Sequence, residues 1–166
     1  RIGLPAFIAG IGAGTWVAKT PIPAARSGCY AFNLNGNLHT ASGHLSGTPQ
    51  PETYKYNLEL DAWRRGSYVT VSDGSSGDSG VTLEGYGYGP GGALGGATTA
   101  VRKFNGDLEV WSAGTAINRA HLSHGTFPLN GMMYITGGDG AGGFGGFHVQ
   151  YNPQTGDRRI CGTAAS

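Results

Sequence analysis

Apolar residues along this chain come in short runs, and each run is cut by Gly, Pro, Asn, Asp or Ser. No stretch keeps apolar residues at i, i+3, i+4 and i+7 for three turns, so the pattern predicts no helix. It predicts short strands instead. One falls at Ala6–Ile11, and another begins at Trp16-Val17. The next group is Cys29–Leu34, Asn37–Ala41, Thr53–Asn57 and Ala62–Arg65. A second group is Tyr68–Ser72, Val81–Leu83, Tyr86–Tyr88, Thr98–Phe104 and Leu108–Ser112. The last is Thr126–Leu129, Met132–Thr136, Phe147–Tyr151 and Arg158–Cys161.

The joints between these strands carry their own signal. Asn35-Gly36, Asn105-Gly106 and Asn130-Gly131 each sit between apolar runs, and Glu84-Gly85 holds the matching place in the middle of the chain. A two-residue type I′ turn needs positive φ at both central residues, which Asn-Gly supplies at low cost. Hairpins are therefore expected at these points.

The hairpins recur. Trp16, Trp63 and Trp111 are spaced by 47 and 48 residues, and Tyr56, Phe104 and Tyr151 by 48 and 47. Each of the second set is followed at once by Asn (Asn57, Asn105, Asn152), and seven residues on by Trp63, Trp111 and, in the third copy, Arg158. The turn glycines Gly36, Gly85 and Gly131 keep the same beat, and the third copy has the doublet Gly137-Gly138 after its second strand. The chain is thus read as one domain, 1–166, with an N-terminal strand in 1–15 and units at about 16–62, 63–110 and 111–161.

The order Asn-Gly turn, apolar strand, Gly-Gly, then Tyr-x-Pro and an aromatic seven residues on resembles the kelch repeat. LNGMMYITGGDG with YNPQTGDR is the best match, apart from Arg158 in place of the aromatic. LNGNLHTASG with YNLELDAW has Ser42-Gly43 where the doublet belongs, and LEGYGYGPGG with FNGDLEVW has a short first strand. The resemblance covers roughly Thr15–Cys161. It implies an all-β fold of three four-stranded antiparallel blades, in which Tyr56, Trp63, Phe104, Trp111 and Tyr151 pack inside blades. It also implies a β-propeller, and propellers have four to eight blades. Three would leave apolar faces and strand edges uncovered, so closure by other copies or within a larger assembly is expected. The alternative is an unrelated glycine-rich β-sandwich or fibre-type domain.

Composition changes this picture little. Gly supplies 32 of 166 residues, far above the usual share of about 7%, as many tight turns require. Charged residues are 13% and the net charge is +1, with no dense basic patch, so a nucleic-acid partner is not expected. No apolar run approaches the roughly 20 residues of a membrane-spanning helix. A chain starting at Arg1 rather than Met is expected to be a processed product or a fragment. Cys29 and Cys161 are read as free thiols, with one bridge, within or between chains, as the alternative.

Candidate chemistry is sparse. His121 and His124 are three apart and His39, His44 and His148 are dispersed, which reads as packing or surface histidines and not a metal site. Asp73, Asp78 and Asp139 read as turn residues, lacking the ligand run of a calcium loop. Gly77-Asp78-Ser79-Gly80 matches four residues of the trypsin-like nucleophile segment and nothing else of that family. The Cys29-Tyr30 pair is all that suggests the copper site of galactose oxidase-like enzymes. The glycine-rich segments Gly85–Gly96 and Gly137–Gly146 open no helix, so no phosphate cradle is read there. Tyr86, Tyr88, Phe144 and Phe147 beside them would suit sugar or protein contact if exposed.

No catalytic, cofactor-binding or metal residue is assigned. The expectation is a non-enzymatic structural or interaction protein, extracellular or of a virion (a phage tail, neck or receptor-binding part), whose partners are its own copies or other subunits. A carbohydrate-binding propeller, a lectin or adhesin with a glycan partner, is the alternative.

Overall fold

The computed structural model describes residues 16–69, 79–92, 97–140, 143–144 and 146–163. The predicted strand Ala6–Ile11 and the loop residues Asp73 and Asp78 lie outside these. So do the side chains of Phe144, Phe147 and Cys161.

The fold is all-β, with no helix among the described residues. In chain order, sheet I begins with β1 (Tyr30–Leu34) and β2 (Asn37–Ala41). A small hairpin follows, β3 (His44–Leu45) and β4 (Thr48–Pro49), and the sheet resumes with β5 (Glu52–Asn57) and β6 (Ala62–Tyr68). Sheet II is β7 (Val81–Leu83), β8 (Tyr86–Pro90), β9 (Val101–Asn105) and β10 (Val110–Gly114). After the short β11 (His121–Leu122), sheet III opens with β12 (Gly125–Leu129) and β13 (Met132–Thr136). Two short strands, β14 (Asp139–Gly140) and β15 (Gly143–Phe144), pair beside β11. The sheet ends with β16 (Phe147–Tyr151) and β17 (Arg158–Thr163). Each large sheet is an antiparallel meander of four strands.

The turns explain this regularity. The central pairs Asn35-Gly36, Glu84-Gly85 and Asn130-Gly131 all have positive φ at both residues, as type I′ requires. The second strand of each sheet then ends where two left-handed residues follow one another: Ser42-Gly43, Gly91-Gly92 and Gly137-Gly138. A Cβ on Gly138 would lie 2.4 Å from the Leu122 carbonyl oxygen, so the upstream chain can pass only over glycine.

Four readings of the sequence need correction. Asn105-Gly106 is not a two-residue turn: Asn105 ends β9, and its Oδ1 accepts the N–H groups of Asp107 and Leu108. Asn57 and Asn152 accept in the same way from Leu60, and from Gln154 and Thr155. The repeated Asn therefore folds a longer loop through its side chain. Trp16-Val17 begins no strand and lies exposed, and Tyr68 ends β6, where a new strand was expected to start. The sheets are also phased differently from the Trp-to-Trp units, since the breaks at Trp63 and Trp111 fall inside β6 and β10.

Sheets I and II pack face to face, as do II and III. Between I and II the core is Tyr30, Phe32, Leu34, Ala41, Val69, Phe104 and Trp111. Between II and III it is Val81, Leu83, Tyr88, Val101, Ile117, Met133, Ile135, Val149 and Tyr151. Among the described residues the three sheets form an open series.

Candidate interaction surface

Each sheet uses one face to meet the next. The face that sheet I turns towards sheet II carries Phe32 and Leu34, three and one residues before the turn Asn35. Phe32 sets its ring against Phe104 and the edge of Trp111, with centroids 5.7 and 6.0 Å apart. It lies over Gly87 and Tyr30 over Gly89, where no side chain intervenes. Inside the interface Trp111 Nε1–H donates to the buried Thr53 Oγ1 at 2.8 Å, and around the rim Asn35 donates to Asp107 at 3.0 Å and Arg64 and Lys55 pair with Glu109. Tyr30 and the buried Arg102 both donate to the Gly91 carbonyl, at 3.0 and 2.8 Å, so the guanidinium is seated inside the interface.

Sheet II repeats the pattern towards sheet III with Val81 and Leu83. Sheet III then presents the same positions, Phe127 and Leu129, to solvent. Phe32 and Leu34 are 4% and 2% exposed, Val81 and Leu83 are 5% and 8%, and Phe127 and Leu129 are 42% and 50%. Cross-strand register puts Met132 opposite Leu129, Tyr134 opposite Phe127, Gln150 opposite Tyr134 and Arg159 opposite Gln150, all on this face. Phe127 and Tyr134 stack at 5.4 Å, and Gln150 Nε2 donates to the Tyr134 hydroxyl at 3.1 Å. Met132, Gln150, Asp157 and Arg159 line a shallow recess of about 160 Å³. Apolar faces rimmed by polar groups are characteristic of contact surfaces in general, which makes this face the candidate.

At the other end of the series, sheet I turns Leu38, Tyr54, Tyr56 and Trp63 away from sheet II. Thr20 and Arg26, in the segment that precedes β1, reach this face. Trp63 Nε1–H donates to the Thr20 carbonyl at 2.8 Å, and Arg26 stands over the Tyr54 ring at 4.8 Å. Tyr56 donates to Asp61, which holds the Asp61 carboxyl below its usual range and pushes the phenol up to about 12. Leu38 is left exposed. Arg158 does in sheet III what Trp63 does in sheet I: its Nη1 donates to the carbonyl of Ala116, in the segment leading into that sheet. The position selects a donor N–H, and this is why Arg can stand where an aromatic was expected.

The other repeat residues separate by environment. Trp111, Phe104, Tyr151 and Tyr56 are buried, and Trp63 is partly buried. Cys29 is a half-buried free thiol whose pKa burial raises. His39, His121 and His124 are buried. His39 stacks on Phe32 at 5.5 Å, and the rings of His121 and His124 meet edge-on at 5.9 Å. Burial holds all three below the usual histidine pKa, with His124 at about 4. Among the described residues no group of three His, Cys, Asp or Glu is placed to hold a metal ion, and no helix is long and apolar enough to cross a membrane. Tyr86, read as a candidate contact residue, has one ring face taken by Lys103 at 3.7 Å, and Tyr88 is buried.

The sequence did not single out Phe127, Leu129, Tyr134 or Leu38. The period gives Phe127 and Leu129 the places of Phe32 and Leu34.

Neither a family model nor a curated protein matches the chain by sequence. In fold it is similar to the solved structure of YjhT, with a TM-score of 0.71 at 14% identity, over 89% of this chain and 48% of YjhT. The likeness is one of fold, and the chain spans about half of YjhT's length.

Proposed function

We propose that this protein is a non-enzymatic structural module, an incomplete kelch-type β-propeller that works by being built through its open sheet faces into a larger assembly. The observation that carries the reading is the exposure of Phe127 and Leu129 at positions whose equivalents form the cores between sheets. The fold likeness to a chain of which this one spans 48% supports it. Low charge and high glycine content fit an extracellular or virion setting, such as a phage tail, neck or receptor-binding part. Light scattering on protein isolated from its native source tests the reading. A particle holding several chains is the expected result, and a folded single chain free in solution contradicts it.

A second reading, a glycan-binding module, is favoured by one feature. Trp63 lines a cleft of about 320 Å³ with Asn37, Asn57, Lys55 and Arg64, the mix of ring face and polar groups that suits a sugar. A glycan array without a hit removes it.

A further inference from the structure

The open face of sheet III and the open face of sheet I match each other by the rule that already joins the sheets inside the chain. We propose that a second copy of this chain covers sheet III with its sheet I, and that the reciprocal contact closes a two-fold ring of six sheets. The inference rests on the function proposed above and names the partner.

Three observations point to a copy of the same chain. First, Leu38 holds the place in sheet I that Gly87 holds in sheet II and Met133 in sheet III, each three residues after the first turn residue. Gly87 receives Phe32, and Met133 lies in the core with Val81. Leu38 of a second copy therefore stands opposite Phe127, side chain to side chain as Met133 stands with Val81 and not ring over glycine as at Gly87. Second, the rim charges are complementary. Asp61, Glu109 and Gly156 occupy one left-handed site, two residues before Trp63, Trp111 and Arg158, with φ of 46°, 53° and 73°. Arg64 and Arg159 likewise share a position, one residue after Trp63 and Arg158. The Arg64–Glu109 pair that joins sheet I to sheet II has its counterpart in Arg159 of one copy and Asp61 of the other. Third, the segment ahead of sheet I touches that sheet through Thr20 and Arg26, as the segment ahead of sheet III touches its own through Ala116. Trp63 bonds the Thr20 carbonyl as Arg158 bonds that of Ala116. The half of the interface that sheet I supplies is in place, and what it lacks is a neighbour's Phe and Leu.

Both interfaces of such a ring are the same contact made twice, so any change on either face acts on both. A ring of six lies within the range of four to eight that propellers adopt. An exposed ion pair adds little affinity by itself, so the role of Arg159 and Asp61 is to set register.

The test uses the purified full chain alone, with sedimentation equilibrium from 0.1 to 100 μM. Twice the single-chain mass is expected. Phe127→Asp and Leu38→Lys each alter a side chain exposed in the single chain, and near-ultraviolet circular dichroism checks that each variant keeps its fold. Each should weaken dimerisation at least about a hundredfold, as central interface residues do. Mixed one to one, the two variants should recover a heterodimer. One of its interfaces is then unaltered, and the other sets the introduced carboxylate of one variant against the introduced ammonium of the other. If Phe127→Asp fails to fold, Leu129→Asp replaces it with the same expectation; if Leu38→Lys fails, the charges are exchanged as Phe127→Lys with Leu38→Glu. A folded wild-type monomer across the range, a dimer indifferent to both variants, or a mixture that stays monomeric overturns the proposal. If the chain alone is monomeric yet multi-chain particles persist in native material, the second copy is wrong and the structural role stands.

Discussion

Replacing Gly87 by Ala tests how closely the sheets approach. A Cβ at this position would lie 2.3, 2.6 and 2.7 Å from three carbons of the Phe32 ring. Carbon atoms pack at about 3.5–4.0 Å, so the ring or the strand must move by roughly 1 Å. The ring cannot swing clear. His39 stacks on it, and Phe104 and Trp111 hold it from sheet II. Overpacking a dense core costs about 1–3 kcal/mol, and the immobility of Phe32 puts this case near the upper end. Gly87 sits in strand β8 without positive φ, so the lower chain entropy of Ala returns only about 0.4–1 kcal/mol. A net loss of about 2 kcal/mol is expected. Gly66→Ala is the control: its nearest neighbour would be 3.6 Å away, an ordinary contact, and the change should stay within about 0.5 kcal/mol. Urea unfolding followed by tryptophan fluorescence, at one protein concentration, reads both as midpoint shifts at constant slope. Phe32→Leu combined with Gly87→Ala should cost less than the two separately by about 1 kcal/mol or more. Equal stability of Gly87→Ala and Gly66→Ala would refute the seating of sheet I on β8.

Trp111→Ala should cost about 3–5 kcal/mol, because the ring is buried against Phe32 and Phe104 and its N–H is bonded to Thr53. Trp63→Ala should cost clearly less in the isolated chain, about 1–2 kcal/mol, since its ring is only partly buried; equal losses in urea titrations would contradict the burial difference. Arg158→Ala should lose about 1 kcal/mol with the bond to the Ala116 carbonyl, and Arg158→Trp should lose less in the same assay because an N–H is restored. Stability should also depend on pH through His124, whose pKa is depressed to about 4 by burial. A neutral His in the folded state and a free one near 6.5 in the unfolded state give full stability above about pH 6.5, lost as pH falls towards 4. The loss reaches about 3 kcal/mol, with His39 and His121 acting in the same direction. Melting temperatures from pH 8 to 4.5 check this. His124→Asn should flatten the profile, and a stability that holds or rises between pH 6.5 and 4.5 would disprove it.

Much of the fold was legible in local chemistry. The I′ turns at 35–36, 84–85 and 130–131 fix where the first two strands of each sheet begin and end, and a two-residue turn leaves one register. The third and fourth strands were legible less sharply. The Asn-Gly pair at 105–106 carries the same letters as a true hairpin turn, yet the left-handed residue is Glu109, which no composition rule marks. Arg158 shows the converse: a residue type that broke the pattern keeps its chemistry, because the site asks for a donor to a carbonyl. The interaction surface was the least legible part. Phe127 and Phe32 occupy one repeat position with one residue type, and only the order of sheets in space tells that one is covered within the chain and the other is not.

Hydroxyl-radical labelling of the protein in its native particle tests most directly whether sheet III is built to be covered. The account predicts that Phe127, Leu129 and Tyr134 oxidise as slowly as Phe32 and Leu34. Oxidation of Phe127 and Leu129 at the rate of freely exposed side chains, with Phe32 still protected, would contradict it.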